Sequence, residues 1–173
     1  MPYAFLTGGA RSGKSTAAER RAASAGTPVT VIATAERGDA EMTARIERHR
    51  AARPPDWTTI EEPIHLADAV SSTPPNNFVV VDCLTLWLAN VLGSATDAQI
   101  VADARALATA LAERTGDAVV VSNEVGDGIV PADPAARRYR DLLGLVNGEM
   151  ASCASESYLV VAGRFLRLEE PAW

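Results

Sequence analysis

The run Gly8-Gly9-Ala10-Arg11-Ser12-Gly13-Lys14-Ser15, inside "TGGARSGKST", fits G-x-x-x-x-G-K-[ST], the phosphate-binding P-loop. Its glycines let backbone N–H groups converge on phosphate oxygens. The next residues, "KSTAAERRAA", read as a helix whose positive dipole end adds to the same pole. In such a loop the lysine, Lys14, reaches the β- and γ-phosphates and the Ser15 hydroxyl ligates Mg²⁺. Lys14 is also the sole lysine among sixteen basic residues. A compact ammonium fits between phosphates where a planar, forked guanidinium does not. The alternative is a plain glycine turn entering a helix, and the retention of one lysine here speaks against it.

A P-loop needs a carboxylate at the end of another strand to help hold the metal. "FVVVD" supplies Asp82, which could instead cap a helix beginning at Leu84. Glu124, ending "VVVSNE", is a weaker candidate for the same pole. Of the two histidines, His49 lies in "MTARIERHRAARPPDW" (42–57), a helical pattern ending before Pro54. Met42, Ile46 and His49 form a packing stripe at i, i+4, i+7, so a half-buried helix-face histidine is one reading. The other is a neutral imidazole nucleophile beside a phosphate. Arg45 and Arg53 flank it at i−4 and i+4; their guanidinium groups would disfavour the imidazolium and neutralise charge on phosphorus oxygens. His65, in "EEPIHLADAV", lacks such company and reads as an ordinary helix residue.

The elements that must position these groups alternate. Val-rich runs at 3–7, 28–34, 77–82, 118–123 and 157–163 lack period-two patterning, as fully buried parallel strands do. Helical patterns fall at 14–25, 39–52, 64–71, 84–114 and 134–154. The alternation predicts an α/β doubly wound sheet. Trp57–Pro63 is either a short strand or a loop, and "STPPNN" is a surface turn. "AGRFLRL" at the end predicts a hairpin with one antiparallel edge strand. No linker divides the chain, so residues 1–173 are expected to form one domain.

Composition narrows the partners. The chain is 47% hydrophobic and 22% charged with net charge −6, which argues against general binding to nucleic acid or an anionic membrane. A local donor cluster can still hold a small anionic ligand. Cys83 and Cys153 suggest reduced thiols rather than a disulfide framework. No apolar run approaches the ~20 residues that span a bilayer, and "MPYAFLTGG" is too short for a signal peptide. The cytoplasm is the expected location.

Together, "LTGGARSGKS", "ATAERGDAEMTARIERHRAARPPDW", "VVDCLTLWLANVL", "VVVSNEVGDGIVPADPAARRYRDLLGLVN" and "YLVVAGRFLRL" run in order through nearly the whole chain. They resemble the bifunctional adenosylcobinamide kinase / adenosylcobinamide-phosphate guanylyltransferases of cobalamin biosynthesis. The segments "SNEVGDGIVP" and "RIERHRAARP" are more distinctive than the P-loop. The resemblance implies a RecA-like P-loop fold, a homotrimer, and GTP and ATP as substrates. It implies phosphorylation of adenosylcobinamide, then transfer of GMP from GTP to adenosylcobinamide phosphate through a guanylyl-histidine. That histidine falls on His49. The implied nucleotide contacts are Gly8 through Ser15, then Ala33, Thr34 and Ala35, Arg50, Ala51, Ala52 and Arg53, Glu61 and Cys83, with Ser15 and Asp82 at the metal. Some members carry paired histidines where Arg48 precedes His49 here, and some have Glu in place of Asp82.

Two rivals differ in class. A monofunctional P-loop small-molecule kinase would use the loop and Asp82 but leave His49 and its arginines without a task. A GTPase-like switch typically reads guanine through N-K-x-D, which the position of the sole lysine forbids.

Overall fold

The structure, a computed structural model, describes residues 3–38 and 40–170. Asp39, where the sequence starts its second helix, and the side chain of Arg45 lie outside the described residues. Seven strands and six helices are described, in the order β1 (Ala4–Thr7), α1 (Lys14–Ala23), β2 (Val29–Ala33), α2 (Ala40–Ala52), β3 (Thr58–Glu61), α3 (Leu66–Ser72) and β4 (Phe78–Asp82). There follow α4 (Leu84–Val91), α5 (Asp97–Ala112), β5 (Ala118–Val121), α6 (Pro134–Cys153), β6 (Glu156–Val161) and β7 (Arg164–Leu168).

The strands form one sheet in the order β3-β2-β4-β5-β1-β6-β7. Every pairing is parallel except β6 with β7, so the antiparallel edge strand stands where the sequence predicts it. The turn between β6 and β7 uses Ala162 at φ 49° and Gly163 at φ 73°, the double positive φ of a tight hairpin whose twist matches its strands.

Successive strand residues feed opposite faces. Phe5, Ile32, Val79, Val81 and Val120 join Val70, Leu84, Trp87, Leu107, Leu143 and Met150 from the helices α3 to α6. Ala4, Leu6, Val31, Val80, Val119 and Val121 meet Ala18 and Ala22 of α1 on the other face. Burial on both faces explains the continuous Val runs. Among the described residues none of α2 enters either core.

The structure breaks one helix of the sequence reading, decides one segment left open there, and moves one residue outside its helix. The helical region 84–114 is broken, because Thr96 and Gln99 build a capping box that starts α5 afresh. Trp57–Pro63 resolves to the strand β3, parallel to β2 at the sheet edge and only half-buried. His65 is exposed and stands just before α3 rather than within it; its backbone N–H donates to Glu62 Oε1 at 2.8 Å.

Candidate active site

The groups of interest gather at the carboxyl ends of the parallel strands, where open α/β sheets bind ligands. β1 runs straight into the P-loop and α1. Gly8 is required there: its φ is 145°, and a Cβ would lie 2.2 Å from the Val160 carbonyl oxygen of β6. Gly13, at φ 102°, is the N-cap of α1 and gives that helix no side-chain cap. The N–H groups of the first turn are therefore left for a ligand. The hairpin turn braces the loop from outside, since the Gly163 N–H donates to the Ser12 carbonyl at 2.8 Å.

Lys14 is 5% exposed. Its ammonium donates to the carbonyls of Gly8 and Gly9, each at 2.7 Å, and to Ser12 Oγ at 3.2 Å. Burial pulls its pKa below the usual lysine value, with Cys83 and Asp82 opposing. Ser15 Oγ donates to Asp82 Oδ1 at 3.2 Å, across the intervening strand β5. Adjacent ligands around an octahedral Mg²⁺ bound at about 2.1 Å sit roughly 3 Å apart, so this pair fits two neighbouring positions of such an ion. Among the described residues no group of three or more His, Cys, Asp or Glu side chains could hold a metal, so the remaining ligands would be phosphate or water oxygens.

The Asp82–Cys83 peptide bond is cis. Thr34, fully buried after β2, holds the next backbone unit from both sides: its hydroxyl donates to the Cys83 carbonyl at 2.7 Å and accepts from the Cys83 N–H at 2.9 Å. That hydroxyl is thus occupied in shaping the strand end. Asn90 of α4 donates to the Thr34 carbonyl at 2.8 Å and to that of Pro63 at 3.2 Å, tying the ends of β2 and β3 together. Burial, and then the Asp82 charge, push the Cys83 thiol above its usual pKa; it is a protonated wall group, not a nucleophile.

Glu124 is positioned differently from Asp82. Its N–H donates to the Gly8 carbonyl at 3.0 Å, while its carboxylate turns back to accept from the Gly126 N–H at 2.6 Å. Glu61 is exposed and sits 3.6 Å from both Arg37 and Arg50. His49, in the last turns of α2, is half-buried with Met42 and Ile46, as the packing stripe predicts. Arg53 points toward α1 instead, with Nη1 donating to Thr59 Oγ1 at 3.3 Å and Nε 3.9 Å from Glu19 Oε1. The structure thus joins Ser15, Asp82, Thr34 and Cys83 through contacts, turns Lys14 onto the loop carbonyls of Gly8 and Gly9, and links Arg50 to Glu61. Sequence reasoning missed Asn90 and Glu19. Glu19 had a signal, lying one helical turn after Ser15 on the same face.

A glycine-loop strand–helix unit, a strand-end aspartate one strand removed, and a parallel sheet with an antiparallel edge define a RecA-like P-loop nucleotide-using protein. Solved structures agree on the fold: the RadB recombinase aligns with TM-score 0.52 at 16% identity over 91% of this chain and 73% of its own. The Pyrococcus horikoshii protein PH0250 aligns with TM-score 0.57 at 8% identity over 96% and 85%. A family model described as cobinamide kinase / cobinamide phosphate guanyltransferase matches residues 4–168. The chain belongs to that family. It is 44% identical over 160 residues to the bifunctional adenosylcobalamin biosynthesis protein CobP of Pseudomonas aeruginosa, covering 92% of each. It is 39% identical over 173 residues to the corresponding CobU of Escherichia coli, covering 92% of this chain and 95% of that one.

Proposed function

We propose that one nucleotide site, built on Lys14, Ser15 and Asp82, serves both reactions of this bifunctional transferase, and that His49 carries the guanylyl group between them. The chain is a cobinamide kinase and cobinamide phosphate guanylyltransferase. In the kinase half, the loop N–H groups and Lys14 orient the triphosphate while the hydroxyl of adenosylcobinamide attacks the γ-phosphorus; the O–P bond forms as the bond to the nucleoside diphosphate breaks, and the hydroxyl proton passes to solvent. Mg²⁺, held by Ser15 and Asp82, would neutralise charge on the phosphate oxygens. In the second half, an imidazole nitrogen of His49 attacks the α-phosphorus of GTP. The N–P bond forms as the bond to pyrophosphate breaks, leaving a phosphoramidate. The phosphate oxygen of adenosylcobinamide phosphate then displaces His49 and takes GMP. Splitting the transfer into two displacements replaces one difficult step with two easier ones.

The observation that carries this reading is the contact set of Lys14, Ser15 and Asp82 at the strand ends, within a chain whose family match spans 4–168. The nucleotide is assigned the backbone of Gly8 to Ser15, the strand end Ala33–Ala35, residues 50–53, Glu61 and Cys83. ATP or GTP serves the first step and GTP the second. We assign residues 1–173 to one domain acting as a cytoplasmic homotrimer. Among the described residues no helix is long and apolar enough to cross a membrane.

Incubation with adenosylcobinamide, Mg²⁺ and GTP, followed by mass spectrometry of the corrinoid products, tests the reading. Adenosylcobinamide phosphate should appear first and adenosylcobinamide-GDP after it. Accumulation of the phosphate alone would make the chain a monofunctional kinase.

A further inference from the structure

Glu19 sits on α1 one turn beyond Ser15, so both side chains share the helix face that meets Asp82. Across a small cleft of about 200 Å³, lined among others by Thr16, Glu19, Ala52, Arg53 and Trp57, the end of α2 faces it. Arg53 closes the approach. Its side chain is 7% exposed, its Nε has no hydrogen-bond partner, and that nitrogen stands 3.9 Å from Glu19 Oε1. Thr59 of β3 fixes the other end of the guanidinium at 3.3 Å. His49 lies in the last turn of α2, and Arg53 follows directly after the helix ends at Ala52.

Among the described residues none of α2 enters either core, and its Met42–Ile46–His49 stripe is only half-buried, so packing holds its place loosely. Its other ion pairs, Arg50–Glu61 and Arg37–Glu47, join side chains 46–64% exposed, and such pairs hold a helix weakly. The Arg53–Glu19 contact is different in kind: a guanidinium taken out of water needs its counter-charge. The Glu19 carboxyl also lies within the field of both Asp82 and His49, with burial raising its pKa and Arg53 lowering it.

We propose that Glu19 is a positioning residue for the guanylyl half-reaction: through Arg53 it sets the helix bearing His49 against the triphosphate held at the start of α1. The inference rests on His49 being the nucleophile. It gives Arg53 a task other than touching the nucleotide with its guanidinium, and it separates the two activities, because the kinase half rests on Lys14, Ser15 and Asp82 and makes no use of the His49 imidazole. Misplacing a nucleophile by about 1 Å can cost on the order of 100-fold.

The test is single-turnover labelling of the full chain with α-³²P GTP and Mg²⁺, without corrinoid, beside steady-state kinase assays. In Glu19→Gln the labelling rate constant should fall about 10- to 100-fold, with the GTP concentration at half-maximal rate unchanged and kinase turnover within about threefold of wild type. Glu19→Asp, which keeps the charge on a shorter arm, should recover part of the loss. It also carries the test if Glu19→Gln fails to fold. Labelling in both variants at the wild-type rate would overturn the inference, as would an equal loss of kinase turnover. Label that persists in His49→Ala would instead break the assignment of His49, whatever Glu19 does.

Discussion

Replacing Lys14 by arginine separates charge from shape. The Lys14 ammonium has three N–H bonds and three acceptors, the Gly8 and Gly9 carbonyls at 2.7 Å and Ser12 Oγ at 3.2 Å. A bound triphosphate would compete for the same three donors. Removing one preorganised donor to developing negative charge typically costs about 3 to 4 kcal/mol, or 10²- to 10³-fold in rate, so Lys14→Ala should lose that much in both half-reactions. Arginine restores the charge but not the geometry. Its donors lie in one plane, whereas the acceptors surround a tetrahedral nitrogen in a site that leaves lysine 5% exposed. Each buried donor left unpaired costs roughly 1 to 3 kcal/mol. Lys14→Arg should therefore stay about 100-fold or more below wild type.

The assay is kcat/KM for ADP formation with adenosylcobinamide and for pyrophosphate release from GTP, with thermal melts to exclude unfolding. Both half-reactions should fall in parallel, since one loop serves both. An arginine variant within about threefold of wild type in either would refute the donor-geometry argument.

His49→Ala should abolish pyrophosphate release from GTP yet leave kinase turnover measurable; equal loss of both would mean that the histidine is structural. Thr34→Val removes a fully buried hydroxyl that satisfies both the N–H and the carbonyl of Cys83, and should lower unfolding stability by about 2 kcal/mol or more in urea titrations. An unchanged midpoint at unchanged slope would contradict that. Glu156 accepts from the Tyr158 hydroxyl at 2.7 Å and pairs with Arg21, contacts that hold its carboxyl below the usual value. A depressed carboxylate pKa contributes stability above its unfolded value that is lost as pH falls through the folded one. Glu156→Gln should thus cost about 1 kcal/mol at pH 7, and the gap to wild type should close as pH falls below about 4.5. A gap independent of pH would rule out ionic stabilisation.

The sheet was legible because its central strands are buried on both faces, so Val-rich runs such as 78–82 and 118–121 carry no competing pattern. Edge strand β3, half-exposed, lacked that signature. The break between α4 and α5 escaped a reading based on apolar periodicity, since it is made by the capping hydrogen bonds of Thr96 and Gln99. In the site, Lys14, Ser15 and Asp82 could be read because the chemistry of phosphate and metal dictates their types and places. The Thr34 clamp on Cys83 and the Glu19–Arg53 joint could not: each pairs residues far apart in sequence whose types are unremarkable until the fold brings them together.

The central claim is that His49 carries GMP, and mapping the guanylylated residue tests it most directly. The full chain is incubated with α-labelled GTP and Mg²⁺ without corrinoid, digested, and sequenced by mass spectrometry under alkaline conditions that preserve phosphoramidates. The account predicts one modified peptide, with GMP on His49 and the label acid-labile, base-stable and discharged by adenosylcobinamide phosphate. Label on any other residue, or a chain that turns over without becoming labelled, would contradict it.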